Sequence, residues 1–118
     1  MPIQRVKQAI EDIKHGKMVM MVDDEDRENE GDLVYAATFS TPEKVNFMAS
    51  EAKGLICVAL NDEIAKRLEL TPMVTHNDSQ HETAFTVSVD ARVCSTGISA
   101  YERDITIKIL ADSMSRPS

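Results

Sequence analysis

Apolar positions along the chain change spacing repeatedly, and each change marks an element. Val6, Ala9, Ile10 and Ile13 recur at helical intervals behind Pro2, a favoured first helical residue, and Gly16 ends the pattern. This predicts an amphipathic helix over residues 3–15. Met18 to Val22 is a short unbroken apolar run suited to a buried strand, and residues 33–37 read as a second. Ser40 and Glu43 have capping-box spacing with Pro42 near the helix start; Val45, Met48, Ala49 and Ala52 form the stripe expected to be buried, and Gly54 closes it.

Residues 55–60 read as a strand, followed by a short helix capped by Asn61 and carrying Ile64, Ala65 and Leu68. Residues 71–82 are polar and aperiodic, hence a loop, and residues 83–89 alternate like a strand. Ser99 and Glu102 form a further capping box, for a helix reaching about Ala111. The tail 112–118 has no pattern, ends on Arg116-Pro117-Ser118 and reads as mid-chain loop sequence. Helices and strands in this order predict an α+β fold, an αβα sandwich with a mixed β-sheet, in a single domain over residues 1–118 that is truncated at its C-terminus. The helix at 99–111 would need one more element to cover it.

Composition narrows the function. The chain has 118 residues with 42% hydrophobic and 28% charged content, ordinary for a globular domain. A formal net charge of -7 argues against nucleic acid and against an anionic membrane surface as partners. It leaves room for an anionic small molecule, because a local Arg or a cation can reverse the field in a cleft. The N-terminal residues alternate charged with apolar and lack a signal-peptide core, and no apolar run approaches a membrane span. Cys57 and Cys94 then read as free thiols in a reducing cytoplasm, with a disulfide as the alternative.

One segment stands out. Seven of the ten residues 23–32 are acidic, directly after an apolar run. Packed like charges repel unless water, Arg or a cation compensates them. Carboxylates plus water suit a hard cation such as magnesium, and Arg27 can pair a carboxylate or grip a phosphate. A solvated acidic turn explains the same composition equally well. A calcium-binding EF-hand does not: counted from Asp26, its twelfth position is Ala37, where a bidentate Glu is needed.

The order of residues adds what composition lacks. Asp24-Glu25-Asp26-Arg27-Glu28-Asn29-Glu30-Gly31-Asp32 resembles the signature of 3,4-dihydroxy-2-butanone 4-phosphate synthases, the lyases of riboflavin biosynthesis. Gly54-Leu55-Ile56-Cys57, Pro72-Met73-Val74, Thr83-Ala84-Phe85-Thr86-Val87-Ser88-Val89-Asp90 and Ser95-Thr96-Gly97-Ile98-Ser99-Ala100 follow in that family's order, so the resemblance covers essentially the whole chain.

The resemblance implies conversion of D-ribulose 5-phosphate into 3,4-dihydroxy-2-butanone 4-phosphate and formate, with Mg²⁺, or Mn²⁺ in its place. It implies a cytoplasmic homodimer with active sites at the interface. It makes Glu28 the metal ligand, Arg27, Glu28 and Asp32 substrate contacts, and Glu28 and Glu30 the catalytic carboxylates. Glu30 would move a proton or bind a hydroxyl, and Gly31 would lend the loop backbone freedom. Thr96, ahead of a capped helix, is a substrate contact if the helix N-terminus holds the phosphate, and otherwise part of ordinary capping by Ser99. Cys57 is expected as a buried or cleft-lining thiol, His15 as a helix-end residue, and His81 as a substrate contact or an exposed loop residue like His76. Residues 92–95 run one residue shorter than the family pattern before the Thr-Gly pair.

The family also continues beyond this length with a Pro-Gly-His and a Gly-His-Thr-Glu segment, absent here, which would add a histidine ligand, an acid-base glutamate and an arginine. Two explanations follow: a truncated piece of a lyase, inactive alone or the N-terminal part of a bifunctional enzyme fused to GTP cyclohydrolase II, or a complete chain that serves as a non-catalytic binding or assembly module.

Overall fold

The computed structural model describes residues 2–26, 29–74 and 84–117. The first element is α1, Pro2–Lys14. It ends at Gly16 (φ +81°), where a Cβ would come within 3.0 Å of the Phe39 ring, so both the turn and the close approach require glycine there. His15 sits at this helix end as expected, with Nδ1 2.7 Å from the Glu11 carbonyl.

The chain then forms a hairpin. Strands β1 (Val19–Val22) and β2 (Gly31–Val34) pair antiparallel, with Val19 opposite Val34, Met21 opposite Asp32 and Val22 opposite Gly31. Alternation puts Leu33 and Met20 on one face and Asp32 and Met21 on the other. A 3₁₀ turn (Ala37–Phe39), helix α2 (Pro42–Phe47) and one π-helical turn (Met48–Ala52) follow. A shallow cleft lined by Met20, Gly31, Leu33, Phe47, Glu51 and Ala52 separates the hairpin from this helical stretch. Two short helices complete the order of elements: α3 (Asp62–Arg67), capped by Asn61 at 2.9 Å, and the longer α4 (Ala100–Ala111), capped by Ser99.

The cap of α2 falls one residue later than its sequence spacing predicts. Thr41 Oγ1 accepts from the Lys44 N–H at 3.1 Å. Ser40 is instead buried and shares a 2.9 Å hydrogen bond with the Tyr35 hydroxyl. The side chain of Lys44 ties three segments together: its ammonium donates to the Gly16 and Phe39 carbonyls, each at 2.8 Å. It also lies over the Tyr35 and Phe39 rings, 5.5 and 5.9 Å from their centroids.

The core forms where α4 packs on α2 and the 3₁₀ turn. Val45, Leu68, Ala91, Ile107 and Leu110 are buried there, and Val45 has no exposed surface. Of the α2 stripe, Val45 is buried as predicted, while Ala49 and Ala52 are exposed. Asp104 is buried as well, with Oδ2 3.0 Å from Lys108 Nζ.

The α+β character matches the sequence pattern, but two predicted strands are not in ladders. Residues 55–60 carry no regular structure, and of residues 84–89 only Thr86 makes an isolated antiparallel bridge, to Pro72. A strand is an assignment of partners: among the described residues, 55–60 have no ladder partner, and 85–87 meet residues 71–73 only around that bridge, where the Met73 N–H donates to the Phe85 carbonyl at 2.9 Å and the Val87 N–H to the Thr71 carbonyl at 2.8 Å. The sheet of the described residues is therefore the two-stranded antiparallel hairpin. Large apolar side chains accordingly remain in solvent, Leu55 at 79% exposure among them.

Candidate functional site

The acidic loop closes the β1–β2 hairpin, and its base is pinned from both sides. The Glu30 N–H donates to Asp23 Oδ1 at 3.0 Å, and the Asp23 N–H donates to the Glu30 carbonyl at 3.3 Å. The backbone bond continues the pairing just past the strand ends and the side-chain bond closes it, so the loop leaves a defined mouth. Asn29 takes the left-handed conformation (φ 52°), which asparagine tolerates better than most residues. The backbone freedom expected of Gly31 is therefore used two residues earlier. Gly31 itself lies in β2, where a Cβ would meet Met20 at 3.6 Å, an ordinary contact.

Glu30 and Asp32 are both exposed at this mouth, as are Asp24, Glu25 and Asp26. The sequence-predicted residues Arg27 and Glu28 lie outside the described residues, as do His76 and His81. Among the described residues no three His, Cys, Asp or Glu side chains converge on a metal position. The donor chemistry of the loop nevertheless fits a hard cation: it offers carboxylate oxygens, in open contact with water, and neither thiolate nor imidazole.

Thr96 lines a different place. Ser88, Val89, Asp90, Thr96, Gly97 and Ile98 surround a shallow cavity of about 270 Å³, and none of the described hairpin residues lines it. Gly97 has φ +75°, and a Cβ there would approach Asp90 Cβ to 2.8 Å. The segment is held by Glu102. Its Oε2 accepts from the Ser95 N–H at 2.7 Å and its Oε1 from the Gly97 N–H at 2.9 Å. The Ser95 hydroxyl adds bonds of 3.2 and 3.3 Å to the same carboxylate. Ser99 Oγ accepts from the Glu102 N–H at 3.1 Å, the first half of a capping box. The carboxylate supplies the other half to the preceding loop. Spacing found the Ser99–Glu102 pair, but not this longer reach, because its main donors are the backbone N–H groups of Ser95 and Gly97, which leave no mark in the sequence.

The N–H of Ser95, then that of Gly97, hold the Glu102 carboxyl below its ordinary value of 4.5. A depressed folded-state value gives stability that is present above the unfolded value and lost as pH falls through the folded one. Glu102→Gln should therefore lower the urea midpoint most above pH 4.5, with the difference from the unsubstituted chain shrinking as pH falls below it. Urea titrations at neutral and acid pH check this.

Cys57 is exposed, against the expectation of a buried or cleft-lining thiol. Cys94 is partly buried, with Sγ 3.6 Å from the Glu102 carbonyl, and both thiols are free.

The described residues thus form an α+β domain that carries an oxygen-donor loop on a hairpin mouth. The sequence makes the assignment definite: the model of the 3,4-dihydroxy-2-butanone 4-phosphate synthase family matches residues 7–118, and the chain belongs to that family. A 3,4-dihydroxy-2-butanone 4-phosphate synthase of Sulfurospirillum multivorans is 74% identical over 116 residues, which are 98% of this chain and 33% of that protein. The riboflavin biosynthesis protein RibBA of Bacillus subtilis is 55% identical over 113 residues, 96% of this chain and 28% of that protein. A crystal structure of a 3,4-dihydroxy-2-butanone 4-phosphate synthase in complex with two magnesium ions superposes with a TM-score of 0.91 at 42% identity, covering 95% of this chain and 53% of that one. The chain thus spans about a third of the length of the curated relatives it matches. No helix among the described residues is long and apolar enough to cross a membrane.

Proposed function

We propose that this chain supplies the acidic-loop part of a lyase site that converts D-ribulose 5-phosphate into 3,4-dihydroxy-2-butanone 4-phosphate and formate. The observation that carries the reading is the pinned hairpin: the Asp23–Glu30 bonds present the signature loop from a defined mouth in a chain that belongs to the synthase family. Glu28 would hold a magnesium ion, with manganese as an alternative of the same donor preference. When bound, the cation supplies positive charge to the oxygen on which negative charge develops during enolisation.

Other residues of the chain contribute to substrate binding. Arg27 binds the phosphate or a substrate oxygen through its planar donors. Asp32, exposed on β2, orients substrate hydroxyls, and Glu30, two residues before it, moves a proton or holds a hydroxyl. Thr96 is the contact furthest along the chain. One domain, a cytoplasmic setting and a homodimer belong to the same reading. Self-association is supported by the exposed Ile3, Val6 and Ile10 stripe of α1.

The test is formate release from ribulose 5-phosphate with and without added magnesium, in this chain and in one extended to the length of its relatives. Magnesium-dependent formate in either supports the lyase. Formate in neither, with both folded, overturns it in favour of a binding or assembly module.

A further inference from the structure

Glu102 binds more of its surroundings than the cap of α4 requires. Both carboxylate oxygens are used, one on the Ser95 N–H and one on the Gly97 N–H, with the Ser95 hydroxyl bridging them. Thr96 lies between the two anchored residues and on the cavity wall. The Ser95 and Gly97 N–H donors, in the loop ahead of α4, are thus already taken by an anion of the protein itself.

We propose that Glu102 is a positioning residue for the sugar-phosphate site: by gripping Ser95 and Gly97 it keeps external anions off the loop backbone and holds Thr96 at the cavity as the loop's single substrate contact. The inference rests on the reading of Thr96 as a substrate contact. Gln in place of Glu102 keeps one accepting oxygen but opposes a donor NH₂ to the other N–H, so one anchor is lost. Freed of the carboxylate charge, the Ser95 and Gly97 donors become open to phosphate.

Two probes in the ¹⁵N-labelled chain test this, ribulose 5-phosphate and inorganic phosphate, read at the Ser95, Thr96 and Gly97 amides. In the unsubstituted chain the sugar phosphate should shift Thr96 saturably, and inorganic phosphate should leave Ser95 and Gly97 unmoved. Glu102→Gln should weaken the sugar phosphate about tenfold, because its contact is displaced. It should also gain a saturable phosphate response at Ser95 and Gly97, which loss of stability alone would not create. If Glu102→Gln does not fold, Glu102→Asp, which keeps the charge but is one methylene shorter, carries the sugar-phosphate comparison at Thr96, where weakened binding is again expected and equal affinity overturns the positioning role. Equal sugar-phosphate affinity in the variant, or equal phosphate response in both chains, overturns the positioning role while leaving Thr96 in place. No Thr96 response in the unsubstituted chain removes Thr96 from the site and the inference with it.

Discussion

On the reading of Glu28 as the metal ligand, replacing it by Gln should lower magnesium-dependent formate release about 100-fold or more, in whichever of the two chain lengths releases formate, while leaving the urea midpoint unchanged, since loss of a directly liganding carboxylate costs at least as much as loss of its supporting partners. The substitution keeps the side chain's size and removes its charge. A neutral amide oxygen is a poorer ligand for a hard cation that takes only one or two protein carboxylates. The fold should not notice. The hairpin is held by its ladder and by the Asp23–Glu30 pair, outside the substituted position. Glu25→Gln makes the same charge change on an exposed neighbour and serves as the control, with a much smaller effect expected. Bound manganese, read by its paramagnetic signal, follows the metal independently of turnover. Equal turnover and equal metal uptake in Glu28→Gln and the unsubstituted chain would take Glu28 out of the metal site.

What the sequence discloses depends on the range of the interaction. Helices α1, α3 and α4 are local objects, and their caps at Asn61 and Ser99 stand where the spacing put them. The α2 cap moved from Ser40 to Thr41 because Ser40 is drawn into a buried bond with Tyr35, a tertiary partner that no capping pattern encodes. Residues 55–60 have strand composition but no ladder, since β-propensity measures fit to a neighbour that the described residues do not supply. The α1 stripe kept its helical period and lost its cover, so periodicity gave the element but not its burial.

The candidate site divides in the same way. Its chemistry was legible as an ordered run of carboxylates around Arg27, because ligand type and order are properties of the chain alone. Its geometry was not. That Asp23 and Glu30 clasp the loop base, that Asn29 takes the left-handed position in place of Gly31, and that Glu102 fills the loop beside Thr96 are all consequences of folding. Ser99 and Glu102 were paired by their spacing as a cap, and only the reach back over seven residues to Ser95 connects that cap to the site.

Gly97→Ala should be the most destabilising of the small substitutions near the site, costing about 1–3 kcal/mol in urea denaturation. Two penalties combine. At φ +75° a side chain is strained wherever its Cβ points, and here the Cβ points at Asp90, whose own Cβ would lie only 2.8 Å away. That neighbour is main-chain-proximal and cannot swing aside as a long side chain would. Gly97→Asn separates the two penalties, because asparagine tolerates the left-handed region but keeps the Cβ. If Asn costs as much as Ala, the approach of Asp90 dominates; if it costs much less, the backbone conformation does. Gly54→Ala is the reference: a Cβ there meets nothing within 4 Å and its φ is not positive, so the change should be neutral or slightly stabilising. A Gly97→Ala cost no larger than that of Gly54→Ala would mean that the loop relaxes freely around Asp90. It would then have too little rigidity for Glu102 to hold Thr96 in a fixed position, so the stability measurement also bears on the site.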